Sequence, residues 1–102
     1  MGSDSLKISV HFGGGAEILF DNLKQHDLEL PLDNGTWNLK RLIAWIRDNK
    51  MKSKQELFVK DDSVRPGILV LVNDTDWDLL GQTEYELCDG DQVHFISTLH
   101  GG

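Results

Sequence analysis

Trp37-Asn38-Leu39-Lys40-Arg41-Leu42-Ile43-Ala44-Trp45-Ile46-Arg47-Asp48-Asn49 is where the hydrophobic period of this chain changes. Leu39, Leu42, Ile43 and Ile46 fall at helical spacing, while Lys40, Arg41, Arg47 and Asp48 take the other side, which predicts an amphipathic helix. Thr36 is the candidate N-cap. Lys50, Lys52 and Lys54 lie at or beyond the carboxyl end, where cations complement the helix dipole.

Upstream of that helix the period is two. In Leu6-Lys7-Ile8-Ser9-Val10-His11-Phe12 the apolar residues alternate with Lys7, Ser9 and His11, as a strand with one buried face requires. Gly13-Gly14-Gly15 follows, and Ala16 to Phe20 resumes an apolar, extended pattern, so the expectation is an amino-terminal hairpin turning on glycines of positive φ. Leu28, Leu30 and Leu32 alternate around Pro31 ahead of Asp33-Asn34-Gly35, a short edge segment running into a turn.

Downstream, Arg65-Pro66-Gly67 marks a turn and Ile68-Leu69-Val70-Leu71-Val72 reads as an interior strand. Asn73-Asp74-Thr75-Asp76 turns the chain, Trp77 and Leu79 alternate with Asp78, and Gly81 breaks the pattern, which suggests a second hairpin. Cys88-Asp89-Gly90-Asp91 makes a further turn before a last strand, Val93 to Leu99. Hairpin, helix and later strands give an α+β fold, a mixed sheet covered by one main helix, in the order of a β-grasp. Residues 6–99 form the body, with residues 1–5 and 100–102 as flexible ends.

Composition restricts the function classes. The 102 residues suit one domain that buries its core without staples. An apolar share of 39% with 26% charged residues is that of a soluble globular protein, and no apolar run approaches the roughly 18 to 20 residues that span a bilayer. Met1-Gly2-Ser3-Asp4-Ser5-Leu6 lacks the basic start and apolar middle of a signal peptide, and Leu6 stands where a myristoylation signal has Ser or Thr. The single cysteine, Cys88, has no partner for an internal disulfide, so a reducing compartment, the cytoplasm, is expected. A net charge of −7 opposes direct binding to nucleic acid. It suits a basic protein partner, although acidity also serves solubility.

No enzyme signature emerges. Asp74, Asp76 and Asp78 alternate like the start of a calcium loop, but Leu79 replaces the turn glycine and Tyr85 the closing Glu. His11, His26, His94 and His100 lack metal-helix spacing, and no metal site or bound cofactor is expected. Gly13-Gly14-Gly15 lacks the Gly-Lys-Ser/Thr of a phosphate loop. Asp89 and Asp91 beside Cys88 disfavour a thiolate, so a structural or incidental thiol is expected.

The chain stops on Gly101-Gly102. A carboxylate is a poor acyl donor until a partner makes it an acyl adenylate, and a partner that threads it beside a nucleotide needs narrow final residues without β-carbons. The bland alternative is a frayed end.

Ser63-Val64-Arg65-Pro66-Gly67-Ile68-Leu69-Val70-Leu71-Val72-Asn73-Asp74, continued by Asp76-Trp77 and Leu79-Leu80-Gly81, resembles the eukaryotic ubiquitin-related modifiers. So does the ending Phe95-Ile96-Ser97-Thr98-Leu99-His100-Gly101-Gly102, and the likeness extends more loosely from about Leu6 onward. The resemblance implies a fold akin to the sulfur carriers of molybdopterin and thiamine synthesis. It also implies activation by an adenylating enzyme with a rhodanese domain that uses ATP. The carboxylate of Gly102 would become an adenylate and then a thiocarboxylate, with Thr98, Leu99, His100 and Gly101 as the tail that partners recognise. Its sulfur would serve a cytoplasmic tRNA thiolation complex acting on the wobble uridine. The activated tail would also be joined to lysines of target proteins. A monomer is the natural form for such a carrier. A non-activated docking module and a carrier for a small-molecule cofactor pathway remain the alternatives.

Overall fold

The computed structural model describes residues 5–32, 35–51, 55–61 and 63–98. Its strands are β1 (Ser5–Gly13), β2 (Gln25–Pro31), β3 (Val59–Lys60), β4 (Ser63–Val64), β5 (Ile68–Val72), β6 (Thr75–Asp76) and β7 (Gln92–Ser97), and its helix is α1 (Leu39–Lys50). Five strands form one mixed sheet in the order β2-β1-β7-β5-β6, and β3 and β4 pair in a separate small ribbon. The last strand is therefore the middle one, parallel to β1 and antiparallel to β5.

Alternation decides which face of the sheet is dry. Leu6, Ile8, Val10 and Phe12 of β1, Val93 and Phe95 of β7, and Ile68, Val70 and Val72 of β5 are all buried. Against them α1 lays Leu39, Leu42, Ile43 and Ile46, each 1% exposed or less, so the expected stripe is the buried one. A ring cluster fills one end of this layer: Phe12 stacks on Phe20 with centroids 3.8 Å apart, and Phe58 meets Phe95 edge-on at 5.2 Å.

The helix starts two residues later than expected, because Asn38, not Thr36, is its cap. Asn38 has extended backbone, and its Oδ1 accepts from Arg41 N at 2.8 Å. Thr36 instead offers its carbonyl to Arg41 Nη1, and the guanidinium lies 3.8 Å from the centre of the Trp37 ring. Lys50 and Arg47 occupy the last turn, while Lys52 and Lys54 fall outside the described residues.

Three further expectations are corrected. Ala16–Phe20 is a 3-10 turn, not a strand. Gly15 at φ 105° and Asp21 at φ 58° bracket it, turning Ala16 and Phe20 inward and Ile18 out. The partner of β1 is β2 across the longer connection 14–24, with Leu6 opposite Leu30 and Ile8 opposite Leu28. β2 is an edge strand, as its proline requires, and the Pro31 carbonyl accepts from Trp37 Nε1 at 2.7 Å. The second hairpin does form, with Asn73 (φ 51°) and Asp74 (φ 69°) as a two-residue turn between β5 and β6. Its return strand is only Thr75–Asp76, however, since Asp76 Oδ1 caps Asp78 N and turns Trp77–Leu79 into a 3-10 helix with Leu79 80% exposed.

Candidate functional site

The functional expectation falls on the end of β7, so what holds that end decides where a tail can start. Ser97 pairs with Ile68, and one residue on, Thr98 donates both its amide (2.8 Å) and its hydroxyl (2.5 Å) to the Gly67 carbonyl. Gly67, at φ 102°, closes the Arg65-Pro66-Gly67 turn, in which Ile68 N donates to the Arg65 carbonyl at 3.1 Å. Arg65 N in turn donates to the Phe58 carbonyl, tying the turn to the aromatic end of the core.

The other flank is set by the glycines after β1. A β-carbon on Gly14 would stand 2.3 Å from the Ser97 carbonyl oxygen, and its φ of +64° is one that side chains rarely adopt. Gly14 thus serves close backbone approach to the end of β7, a role beyond the hairpin turn expected of it. Of the predicted tail, Thr98 is placed as the last anchored rung. Leu99, His100, Gly101 and Gly102 lie outside the described residues.

Beside the root lies an apolar hollow of about 270 Å³, lined by Gly14, Ile18, Leu19, Leu57, Arg65 and Ser97 among others. Nothing in the linear sequence joins these residues. A second hollow of about 250 Å³, between α1 and β3, is bordered by Lys40, Arg41 and Arg47 and contains no residue of β7.

The side chains weighed as chemistry serve structure. Asp91, 5% exposed, is a hub: its Oδ2 accepts from Tyr85 Oη (2.8 Å) and Cys88 N (2.9 Å), and its Oδ1 from Asn73 Nδ2 (2.9 Å). Burial first, and then this hydrogen bond, push the Tyr85 phenol well above its ordinary range. Asp89 Oδ1 accepts from Lys7 N at 2.9 Å. Both carboxylates beside Cys88 therefore bind backbone or neighbours, and the exposed Cys88 Sγ meets the Glu86 carbonyl at 3.9 Å and interacts with the Tyr85 phenol. Asp78 Oδ1 accepts from Gln82 Nε2. Asp74, Asp76 and Asp78 thus shape two consecutive turns.

His11 and His94 are neighbours across β1 and β7, stacked at 4.4 Å, with His11 Nε2 2.7 Å from Gln92 Oε1. Burial, and then the His11 charge, hold His94 below its ordinary pKa. Among the described residues no three His, Cys, Asp or Glu side chains are grouped to hold a metal, and no helix is long and apolar enough to cross a membrane.

One main helix packed across a mixed sheet, with β7 at its centre and ending beside the Gly67 turn, defines a β-grasp protein of the ubiquitin-like class. The comparisons with known proteins are more specific. The family model described as Urm1 (Ubiquitin related modifier) matches residues 7–102. Ubiquitin-related modifier 1 of Bos taurus is 57% identical over 97 residues, covering 95% of this chain and 96% of its own length. That of Homo sapiens is 56% identical with the same coverage. The solution structure of Urm1 from Trypanosoma brucei superposes with a TM-score of 0.77 at 40% identity, covering 99% of this chain and all of that one. The chain belongs to the ubiquitin-related modifier family.

Proposed function

We propose that this protein is a sulfur carrier and modifier whose working group is the α-carboxylate of Gly102. In the activating step a carboxylate oxygen attacks the α-phosphorus of ATP on a separate adenylating enzyme, and pyrophosphate leaves. A persulfide sulfur on the enzyme's rhodanese domain then attacks the adenylated carbonyl and AMP leaves, and a thiol cleaves the sulfur–sulfur bond of the resulting acyl disulfide, releasing the thiocarboxylate and leaving a disulfide on the enzyme. That sulfur goes to a tRNA thiolation complex for 2-thiolation of the wobble uridine. Alternatively a lysine amine of a target protein attacks the adenylated carbonyl, AMP leaves and an isopeptide forms. The carrier itself binds no cofactor, since ATP belongs to the activating enzyme, and it works as a cytoplasmic monomer. Neither step asks it to grip RNA, which agrees with its charge of −7.

The observation that carries this reading is the rigid root. Thr98, one residue past the middle strand, is pinned twice to the Gly67 carbonyl, and four residues ending in Gly101-Gly102 follow it. Such a root presents the reacting carboxylate at a bounded reach, with Thr98, Leu99, His100 and Gly101 as the segment a partner reads. Incubation with ATP, a sulfur source and the activating enzyme, followed by intact-mass measurement, tests it. Replacement of one oxygen by sulfur is the expected result. An unchanged mass with an active enzyme would favour a docking module. Comparing tRNA thiolation with cofactor levels in cells lacking the protein separates the two carrier roles.

A further inference from the structure

We infer that the outer edge of β2 is a docking site for a basic, extended segment of a partner protein, which adds to the sheet as a further strand and sets Lys or Arg side chains against Asp27 and Glu29. The inference does not rest on the carrier reading, since β2 lies two strands away from the middle strand that leads to the tail.

The backbone leaves a place for that strand. The Lys7 and Ser9 amides of β1 turn toward the chain entering β7, donating to Asp89 Oδ1 and to the Asp91 carbonyl, while the Phe12 amide turns the other way, to the Lys24 carbonyl. Leu6, Ile8 and Val10 therefore bond β2, and their partners Leu30, Leu28 and His26 use their N–H and C=O groups inward. Asp27 and Glu29 point theirs away from the sheet, and among the described residues nothing pairs with them. The edge closes at Pro31, whose outward carbonyl accepts from Trp37 Nε1. An unpaired row of donors and acceptors on an edge strand is a template for an added strand.

The side chains choose its chemistry. Asp27 and Glu29 are exposed and stand on the polar face, opposite Ser9 and Lys7. Their carboxylates are already oriented: Asp27 Oδ1 accepts from Ser9 Oγ (2.8 Å) and Gln25 Nε2 (3.1 Å), and Glu29 Oε2 accepts from Ser5 Oγ (3.0 Å). Asp27 Oδ2 and Glu29 Oε1 remain for an incoming cation. Both residues border a hollow of about 600 Å³ on this face, lined also by Lys7, Ser9 and Gln25, where long basic side chains can lie along the sheet. Lys7 belongs to β1, so an added strand meets Asp27 and Glu29 at the roughly 4.8 Å spacing of neighbouring strands and Lys7 only at twice that distance.

The same charges reject a second copy of this chain. Antiparallel pairing of two β2 edges about Leu28 would set Asp27 against Glu29, and like charges directly opposite destabilise a strand pair. A segment with Lys or Arg at every second position meets a carboxylate at each, and the residues between them turn to the Leu28 side of the sheet.

The test is amide NMR of the full chain at low salt, titrated with the peptide Lys-Val-Lys-Val-Lys-Val. Shifts should centre on β2, and at a peptide concentration of about ten times Kd the Asp27 and Glu29 amides should exchange with solvent about tenfold more slowly. Asp27→Asn combined with Glu29→Gln should weaken binding about fivefold to tenfold. Two N-methylated peptides, one blocked at the lysine amides and the other at the valine amides, keep the charge. One should bind and the other fail, because alternate amides of an added strand face β2. Absence of shifts at about 1 mM peptide, shifts centred away from β2, equal binding of Glu-Val-Glu-Val-Glu-Val, or equal binding of both N-methylated peptides would each overturn the inference. Asp27, Glu29 and Pro31 would then serve only to keep other strands off this edge.

Discussion

Helix α1 and the last rung of β7 belong to one sheet-and-helix body, but different forces hold them. Four buried side chains fasten the helix to the sheet, and the Asn38 side chain caps its start. The root of the tail hangs on one carbonyl, that of Gly67, and on the missing β-carbon of Gly14. Burial of that kind stabilises the whole domain by roughly 25 cal/mol per Å² of apolar surface, whereas two hydrogen bonds at a strand end contribute little to global stability and chiefly fix a direction. Stability and function should therefore come apart under mutation.

The strongest attempt to break this separation is Leu42→Ala. It removes a side chain with no exposure from the helix stripe and should cost roughly 2 to 5 kcal/mol in urea unfolding, while the folded fraction is still activated. A cost under about half a kcal/mol, the level of a surface site, would show that the stripe does not bear on the core.

Gly14→Ala sharpens the boundary between the two regions. It combines a left-handed φ with a clash on the Ser97 carbonyl, so a loss of about 1 to 3 kcal/mol is expected. Because the clash falls on the tail root, adenylation of the folded variant should also fall. Normal adenylation would show that the root tolerates displacement.

A smaller effect follows from His94. Its pKa lies below the ordinary 6.5 in the folded protein, mainly through burial and then through the charge of His11, with Asp74 acting the other way. The unfolded chain then takes up the proton more readily. The stability from this site is present above about pH 6.5, is lost as pH falls from there to the folded value, and levels off below it. His94→Gln should flatten that slope in urea midpoints compared between about pH 7.5 and 5.5. His26, also held low mainly by burial, should leave a residue of it.

Cys88→Ser should have the least effect. The exposed sulfur makes one long contact with a carbonyl, at 3.9 Å, and interacts with the Tyr85 phenol, while the carboxylate carries the transferred sulfur, so thiocarboxylate formation should be unchanged. Loss of product from a folded variant would move the reactive centre to the thiol.

The same two regions differ in how far they could be read from residues alone. The helix stripe and β1 show their periods over enough residues to be unambiguous, and the buried positions agree. Ala16–Phe20 is five residues, short enough that one 3-10 turn and one strand share the same apolar pattern, and its flanking left-handed Gly15 and Asp21 decide for the turn. β3, β4 and β6 are two residues each and carry no period at all. Thr36 and Asn38 are both able caps, and only the extended backbone of Asn38, bridged to Glu86, selects between them. The His11–His94 stack gave no sign because the two residues lie far apart along the chain and meet only through the sheet register, and the Asp91 hub gave none because its side-chain partners Tyr85 and Asn73 share no period with it. At the site, Gly101-Gly102 declares itself by composition. The Gly67 anchor gave one usable sign, a Pro-Gly turn just ahead of an interior strand, and the hollow gave none.

The separation of body from tail is tested most directly by adding one alanine after Gly102. The extra residue moves the carboxylate by about 3.5 Å along an extended chain, and an error of about 1 Å in a reacting group can cost about a hundredfold in rate. Pyrophosphate release with the purified activating enzyme should be abolished, while thermal unfolding stays that of the unextended protein. Normal pyrophosphate release from protein shown by mass to retain the alanine would contradict the terminal-carboxylate mechanism.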